Sequence, residues 1–226
     1  MRYGGTDNLE IMSEARNYNR YLASLVRNYS GVSNSILDFG AGTGTFARAL
    51  RDGGPHIECV EPDALQSQIL RSEGFKVYER IEDVENNKFD YIYSLNVLEH
   101  IEDDNEMLRV LHSKLRPSGR LFLYVPAFAL LFSSMDRKVG HFRRYRRHDL
   151  VERLSNAGFE VERARYCDSL GFFASLVFKW FGNSGGRIDR NGLIIYDRLI
   201  FPVSRCVDIL VSRMFGKNVY VHALRR

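Results

Sequence analysis

The chain has 226 residues, of which 45% are hydrophobic and 27% charged, and its formal net charge is +4 at pH 7. This composition is typical of one globular domain and excludes a disordered chain, and no apolar run has the length expected of a signal peptide or a transmembrane helix. Six lysines and arginines lie between residues 137 and 147 with no acid among them, so the positive charge is local and does not indicate a generally basic nucleic-acid-binding surface.

The first predicted element is a helix over residues 8–28, where apolar residues recur at helical spacing. Short runs rich in branched and aromatic residues then alternate with helical runs. The predicted strands are 35–39, 56–62, 76–80, 89–95, 119–127, 160–168 and 217–225. The predicted helices between them are 45–51, 64–75, 103–117 and 147–159. This alternation predicts βαβ units, and hence an α/β fold with a mostly parallel sheet covered on both faces.

Residues 169–215 form a long apolar stretch before the last predicted strand. Pro202 is expected to kink or divide a helix there, and the run GNSGGRIDRNG (182–192) is predicted to be a loop. Two interpretations remain open for the stretch: a buried helical lid over the active site, or a hydrophobic surface for a lipid-linked substrate, a membrane interface or a second subunit.

The stretch ILDFGAGTGTFARAL (36–50) places glycines at alternate positions between a strand and a helix. No lysine follows as in a phosphate-binding P-loop, and Thr45 stands where a dinucleotide fingerprint has its third glycine. Asp38 would repel a pyrophosphate but suits a ligand ammonium, directly or through water. Glu61, at the end of the second strand, can accept hydrogen bonds from both ribose hydroxyls of a nucleoside. The pattern therefore favours a nucleoside ligand with an amine and a carboxylate over a phosphate.

The runs ILDFGAGTGTFA, VEP, FDYIYSLNVLEHI and LRPSGRLFLYVP resemble the class I S-adenosylmethionine-dependent methyltransferases. The resemblance covers about residues 35–165 and resumes at 217–225. It implies a Rossmann-like, doubly wound seven-stranded sheet with its last strand antiparallel, and S-adenosyl-L-methionine as the cofactor. The chain is then a single domain, 1–226, whose expected parts are an N-terminal helical cap (1–34), a cofactor-binding core (35–168), a helical lid or apolar insertion (169–216) and the last strand (217–226).

The resemblance also implies which residues meet the cofactor. The glycine loop and Asp38 would contact its methionine part, Glu61 its ribose, Glu82 its adenine, and Leu95 with Asn96 the region of the sulfonium. The full expected set is Asp38, Gly40, Ala41, Gly42, Gly44, Glu61, Pro62, Glu82, Leu95 and Asn96.

The run LNVLEHI (95–101) is similar to a loop of ubiquinone-type O-methyltransferases, some of which bind a metal there through E-x-x-E-H. Asn96 stands where the first glutamate of that motif would be, so no metal is predicted. Glu99 and His100 either cap the next helix and wall the pocket, or His100 acts as a general base.

The segment SSMDRKVGHFRRYRRHDL (133–150) follows the fifth strand, where substrate loops of this fold usually lie. Arginine binds carboxylate or phosphate through paired hydrogen bonds, so an anionic acceptor is expected to bind Arg137, Arg143, Arg144 and Tyr145. His141 could deprotonate the acceptor, with Asp136 orienting the imidazole. The alternative is an ordinary solvated basic loop.

The sequence thus predicts methyl transfer from S-adenosylmethionine to an oxygen or nitrogen of an anionic small molecule, such as a saccharide, a natural-product intermediate or a lipid-linked one. The alternatives are a non-catalytic cofactor-binding protein and an RNA methyltransferase that uses the basic segment. Nucleic acid is the less favoured partner, because no NPPY-like motif follows the fourth strand, and a homodimer stays open. Three widely spaced cysteines without a CxxC pair indicate reduced thiols and a cytoplasmic protein.

Overall fold

The computed structural model describes residues 11–51, 54–181 and 189–226. Its sheet has seven strands in the order β3-β2-β1-β4-β5-β7-β6. The strands are β1 Ser35–Phe39, β2 His56–Val60, β3 Lys76–Tyr78, β4 Phe89–Leu95, β5 Leu115–Pro126, β6 Phe159–Cys167 and β7 Asn218–Arg225. Strands β1 to β5 run parallel to one another, whereas β7 is antiparallel to both β5 and β6. The predicted doubly wound sheet with an antiparallel last strand is therefore confirmed.

The helices connect the strands on both faces of the sheet. They are α1 Arg16–Ser30, α2 Thr45–Arg51, α3 Ala64–Ser72, α4 Asp104–Lys114, α5 Ser134–Val139, α6 Arg147–Asn156, α7 Ser169–Phe181, α8 Arg190–Ile195 and α9 Phe201–Val211. Helix α4 ends three residues earlier than predicted, and 115–117 belong to β5 instead. The reason is that Pro117 disfavours helical geometry at the residue before it.

Two predictions at the ends of elements need correction. The first helix begins at Arg16, after a short helical turn at 11–13, and the start predicted at 8–10 lies outside the described residues. Of the predicted loop 182–192, residues 182–188 also lie outside them, while 190–192 are helical. Asp189 explains this helix start, because its side chain accepts the backbone N–H of Gly192 and caps α8.

Each face of the sheet carries its own hydrophobic core. On one face, α1 and α2 cover the aromatic rings of Tyr91, Tyr93 and Phe122, and on the other α4 and α6 cover Phe89 and Ile92. Burial on both faces explains why the central strands are mainly apolar and lack a regular alternation of apolar and polar residues.

The segment between β6 and β7 is a helical insertion, made of α7, α8, a π-helical turn over Tyr196–Ile200, and α9. Pro202 lies in the first turn of α9, where the chain passes from the π-helical turn to the α-helix, so the predicted division falls there. Asp197 joins the insertion to the N-terminus of α1, because its carboxylate accepts the backbone N–H of Asn17 at 3.0 Å and of Tyr18 at 2.8 Å. Within the part of the chain that is described, no helix is long and apolar enough to cross a bilayer.

Candidate functional site

A cavity of about 750 Å³ opens at the carboxyl ends of the parallel strands, where ligands of open α/β sheets bind. Helix α1 forms one wall through Tyr18, Asn19 and Leu22. The cavity brings together ten of the residues singled out from the sequence, which are Gly40, Gly42, Glu61, Pro62, Glu82, Leu95, Asn96, His100, His141 and Arg144. Seven others do not line it, namely Asp38, Ala41, Gly44, Asp136, Arg137, Arg143 and Tyr145.

The glycine loop packs tightly on the protein at two of its three glycines. A Cβ at Gly40 would lie 2.3 Å from Val97 Cγ2, and one at Gly44 would lie 2.6 Å from Leu70 Cδ2. At Gly42 the nearest atom is 3.5 Å away, and this glycine lines the cavity. All three have positive φ, a conformation that glycine adopts at little cost. Protein packing therefore excludes side chains at the outer two positions, whereas Gly42 leaves space for a ligand.

Glu61 is held at the cavity wall by two backbone amides. Its carboxylate accepts the N–H of Gly42 at 2.7 Å and the N–H of Asp63 at 2.9 Å. Burial raises the pKa of Glu61 above its usual range, although these amides act in the opposite direction. Because a carboxylate has about four acceptor sites, two remain for the hydroxyls of a ribose.

Asp38 lies behind the loop and not on the cavity surface. Its side chain is buried and accepts the hydroxyl of Tyr93 at 2.7 Å. Burial raises the pKa of Asp38 to about 7. A contact between Asp38 and a ligand ammonium, directly or through water, stays a prediction.

Residues that follow β3 and β4 in the chain form another part of the cavity wall. Glu82 is exposed in the 3-10 turn Ile81–Asp83, where Arg80 Nε lies 3.3 Å from its carboxylate. Asn96 follows β4 with a positive φ of 55°, and its N–H donates to Tyr124 O at 2.7 Å. Such a backbone conformation in a residue other than glycine is costly and is concentrated at functional sites.

The other half of the cavity contains a histidine that is firmly oriented. The His141 Nδ1 and Asp136 Oδ1 atoms are 2.7 Å apart. Arg144 donates to both carboxylate oxygens of Asp136, at 2.8 and 2.9 Å, and Ser133 N–H donates to one of them in a capping box that begins α5. Burial raises the pKa of Asp136, but the hydrogen bonds from His141 and Arg144 outweigh it and hold that pKa well below its usual range. Asp136 is thus an ionised anchor for the imidazole.

Glu99 lies beside this histidine, and its carboxylate has no hydrogen-bond partner among the described residues. It is fully buried, and its Oε1 is 3.8 Å from His141 Nε2. Burial raises the pKa of Glu99 to about 8. His100 packs edge-on against His141 with ring centroids 4.6 Å apart, and burial together with His141 lowers the pKa of His100 to about 4.

Glu99, His100 and His141 each offer one ligand atom, and these atoms lie within 4.8 Å of one another. Imidazole and carboxylate groups at this spacing are the kind of donor set that holds a transition metal. The prediction of no metal rested on Asn96, which stands in place of one glutamate of the motif. It did not foresee that the loop after α5 brings His141 next to Glu99 and His100. It stays a prediction, for which a test is given below.

The basic segment does not converge on the cavity as expected. Arg143 Nη1 pairs with Asp104 at 2.8 Å, and the hydroxyl of Tyr145 donates to the same carboxylate at 2.9 Å. Arg137 is exposed. Acceptor binding by Arg137, Arg143 and Tyr145 stays a prediction: buried Asp104 holds Arg143 and Tyr145 beside α4, and Arg137 faces solvent. Of the four, only Arg144 lines the cavity.

Several cavity residues could not be recognised from the sequence. Lys217 and Asn218 line the cavity because β7 pairs antiparallel with β5, which places Asn218 opposite Pro126. Tyr18, by contrast, lies on the first helix, which the sequence predicted to be an N-terminal cap, and it lines the cavity. Glu99, which the sequence named with His100 as a possible wall of the pocket, also lines the cavity.

A protein-family model described as a methyltransferase domain matches residues 14–164. The chain belongs to this methyltransferase family. Two curated relatives, the ubiquinone biosynthesis O-methyltransferases of Xanthomonas euvesicatoria pv. vesicatoria (strain 85-10) and Xanthomonas axonopodis pv. citri (strain 306), are each 26% identical over 150 residues. The match covers 56% of this chain, which spans 63% of the length of those relatives.

Solved structures of methyltransferases share the fold. A possible histamine N-methyltransferase of Thermotoga maritima has a TM-score of 0.66 at 16% identity, with 98% of this chain and 95% of that chain covered. A chain from the complex between the Haloferax volcanii Trm112 methyltransferase activator and a putative methyltransferase has a TM-score of 0.66 at 14% identity, with 98% and 93% covered. The predicted class I methyltransferase fold is confirmed.

S-adenosyl-L-methionine is the cofactor of this family, and the residues of the cavity fit it. Gly42 leaves open space beside Glu61, whose carboxylate retains acceptor sites for a ribose diol. The individual contacts of Gly40, Pro62, Leu95 and the other expected residues stay predictions.

Proposed function

We propose that this methyltransferase transfers the methyl group of S-adenosylmethionine to a hydroxyl oxygen of a small-molecule acceptor. The observation that carries the proposal is one continuous cavity with two chemically different halves. One half contains the glycine loop and Glu61, and the other contains His141 oriented by Asp136. The cavity volume of about 750 Å³ falls within the range of small-molecule sites.

His141 is suited to accept the proton of the acceptor. With Nδ1 donating to ionised Asp136, the lone pair of Nε2 is left for the hydroxyl proton. The cofactor supplies an electrophilic methyl group: the methyl–oxygen bond forms, the methyl–sulfur bond breaks, and the proton moves to Nε2. Asp136, itself fixed by Arg144, then stabilises the imidazolium, while His100 stays neutral because its pKa is lowered to about 4.

The walls around His141 indicate a largely apolar acceptor. The side chains that face this half include Ile101, Met107, Met135 and Val139. Oxygen is favoured over nitrogen because a hydroxyl needs a base more than a neutral amine does, and because the curated relatives carry the name O-methyltransferase. An anionic group on the acceptor is a weaker part of the proposal, since Arg144 is already bound to Asp136 and its support is reduced to Lys217.

The placement of the basic segment weakens the RNA alternative. Arg143 and Arg144 are engaged with Asp104 and Asp136 inside the protein, so they are not arranged for phosphates of a nucleic-acid backbone.

The test is transfer of tritiated methyl from S-adenosylmethionine to a panel of small phenols and alcohols with apolar substituents. Once one acceptor turns over, His141→Ala is expected to lower kcat by about 10²-fold with little change in KM. His148→Ala is the matched control, because this histidine lies in the same segment with its side chain 88% exposed. Wild-type kcat for His141→Ala would refute the base assignment, and no transfer to any acceptor despite calorimetric cofactor binding would favour the non-catalytic alternative.

A further inference from the structure

The helical insertion presents large apolar side chains to solvent along two packed helices. On α7, Phe173, Val177 and Trp180 are exposed, at spacings that place them on one side of the helix. A second stripe follows α8, the π-helical turn and α9. Its exposed members are Ile195, Leu199, Val203, Ile209, Leu210 and Met214. We call these two stripes the outer face.

Three polar side chains of α9 and the turn before it point into the protein instead. Asp197, Ser204 and Asp208 are buried. Asp208 accepts the backbone N–H groups of Asp168 and Ser169 at the start of α7, at 2.8 and 2.9 Å. The carboxylates thus hold the helices to the protein, and the hydrophobic stripes are left outside. This is the reverse of the usual arrangement for a helix on a soluble surface.

The charges beside the outer face have one sign. Lys179, Arg198 and Arg213 are exposed, while Asp197 and Asp208 are buried. The other two acids among the described residues of the insertion are Asp168, which is buried, and Asp189, which caps the start of α8. Apolar residues with a tryptophan, flanked by lysine and arginine, are the composition of helices that lie in the surface of an anionic membrane.

We propose that the outer face docks on an anionic lipid surface, with α7 and α9 lying in the plane of the interface. The apolar stripes enter the boundary between headgroups and acyl chains, and Lys179, Arg198 and Arg213 meet anionic headgroups. A second copy of the chain fits this face less well. A two-fold interface would bring its arginines close to their own counterparts without an exposed carboxylate in either stripe to pair with them. The proposal does not depend on the transferred group or on the acceptor.

Trp180 provides a direct readout, because it is the only tryptophan of the chain and its exposure is 71%. Purified protein is mixed with phosphatidylcholine vesicles or with vesicles containing 30% phosphatidylglycerol, without cofactor or acceptor. With the anionic vesicles, the emission of Trp180 is expected to shift to the blue and the protein is expected to float with the lipid. With phosphatidylcholine alone, binding is expected to be at least about tenfold weaker.

Two double variants separate the apolar and the charged contributions. Ile209→Ser/Leu210→Ser is expected to weaken partitioning at least about tenfold, because these side chains are 81% and 83% exposed and have little role in folding. Arg198→Gln/Arg213→Gln is expected to weaken it about thirtyfold on anionic vesicles. Val32→Ser, at an exposed position outside the insertion, is the matched control for the first variant.

Three results would overturn the proposal. The first is emission and flotation unchanged by anionic vesicles. The second is binding that Val32→Ser weakens as much as Ile209→Ser/Leu210→Ser does. The third is a blue shift that grows with protein concentration in the absence of lipid, together with a dimer in analytical ultracentrifugation, which would assign the outer face to a second copy. Circular dichroism of each variant checks that the fold is retained.

Discussion

Replacement of Glu99 by glutamine tests the most unusual group in the cavity. The carboxylate of Glu99 is fully buried without a hydrogen-bond partner among the described residues, and burial raises its pKa to about 8, against about 4.3 in an unfolded chain. Between these two pH values the folded protein holds a proton on Glu99 that the unfolded chain has lost. The free energy of unfolding of the wild type therefore falls as pH rises through this window, by up to about 1.4 kcal/mol per pH unit.

Glutamine is neutral at every pH and has nearly the shape of the protonated acid. The stability of Glu99→Gln relative to wild type is expected to be unaffected by pH below about 4, to increase from about pH 5 to pH 8, and then to level off at about 5 kcal/mol above its low-pH value. Urea unfolding at several pH values with EDTA present measures this difference. Glu106→Gln, at an exposed surface pair with Arg109, is the control and should show almost no pH dependence.

Parallel stability curves for wild type and Glu99→Gln across the pH range would refute the reasoning, because they would mean that Glu99 is ionised in the folded state. The same experiment without EDTA and with added Zn²⁺ or Mn²⁺ tests the prediction of no metal. The stability difference between the two proteins would then vary with pH in EDTA but become independent of pH when the cation is present. That result would show that Glu99 binds the cation, and it would contradict the prediction of no metal.

Three further predictions follow from single sites. Glu61→Ala should weaken binding of S-adenosylmethionine by roughly 1–3 kcal/mol in calorimetry, and unchanged affinity in a folded variant would remove Glu61 from the cofactor site. Gly40→Ala should lower the free energy of unfolding in urea by about 2–4 kcal/mol, because the position has positive φ and the added Cβ overlaps a neighbouring side chain. Gly31→Ala, with positive φ but open space around it, is the control and should cost about 1 kcal/mol. Equal costs would show that the overlap at Gly40 is relieved. Asp104→Asn should lower the free energy of unfolding by about 2–4 kcal/mol, since its buried carboxylate pairs with two arginines. Asp90→Asn, at a half-exposed pair, is the control and should cost less than about 1 kcal/mol. A cost for Asp104→Asn as small as that of the control would contradict the anchoring role of Asp104.

The sequence was most informative where a local pattern determines a local structure. The glycines of the loop, with the apolar run before them and the helical run after them, predicted the turn between β1 and α2 correctly. The same holds for all seven strands, whose ends shifted by only a few residues. Turns that need positive φ and strands buried on both faces leave such patterns because each residue is constrained by its own backbone or its own burial.

The basic segment shows what the sequence did not determine. His141 and Asp136 are five residues apart, and their contact across the end of α5 was foreseen. The neighbouring Arg143 was expected to bind the acceptor, but it pairs with Asp104 on another helix. Residue type makes an arginine able to bind a carboxylate, and only the packing of α4 beside this segment decides which carboxylate it meets.

The helical insertion shows the same division. Its apolar composition was evident in the sequence, but whether the apolar side chains cover the site or face solvent was left open. The tertiary structure decided that Asp197 of the π-helical turn and Asp208 of α9 point inward and cap the starts of α1 and α7, so that Ile209 and Leu210 face outward. Those backbone N–H groups are distant in sequence, and hydrogen bonds to them form only when the three helices are packed. A helix can bury either of its faces, and the partners available in the folded protein determine which one it buries.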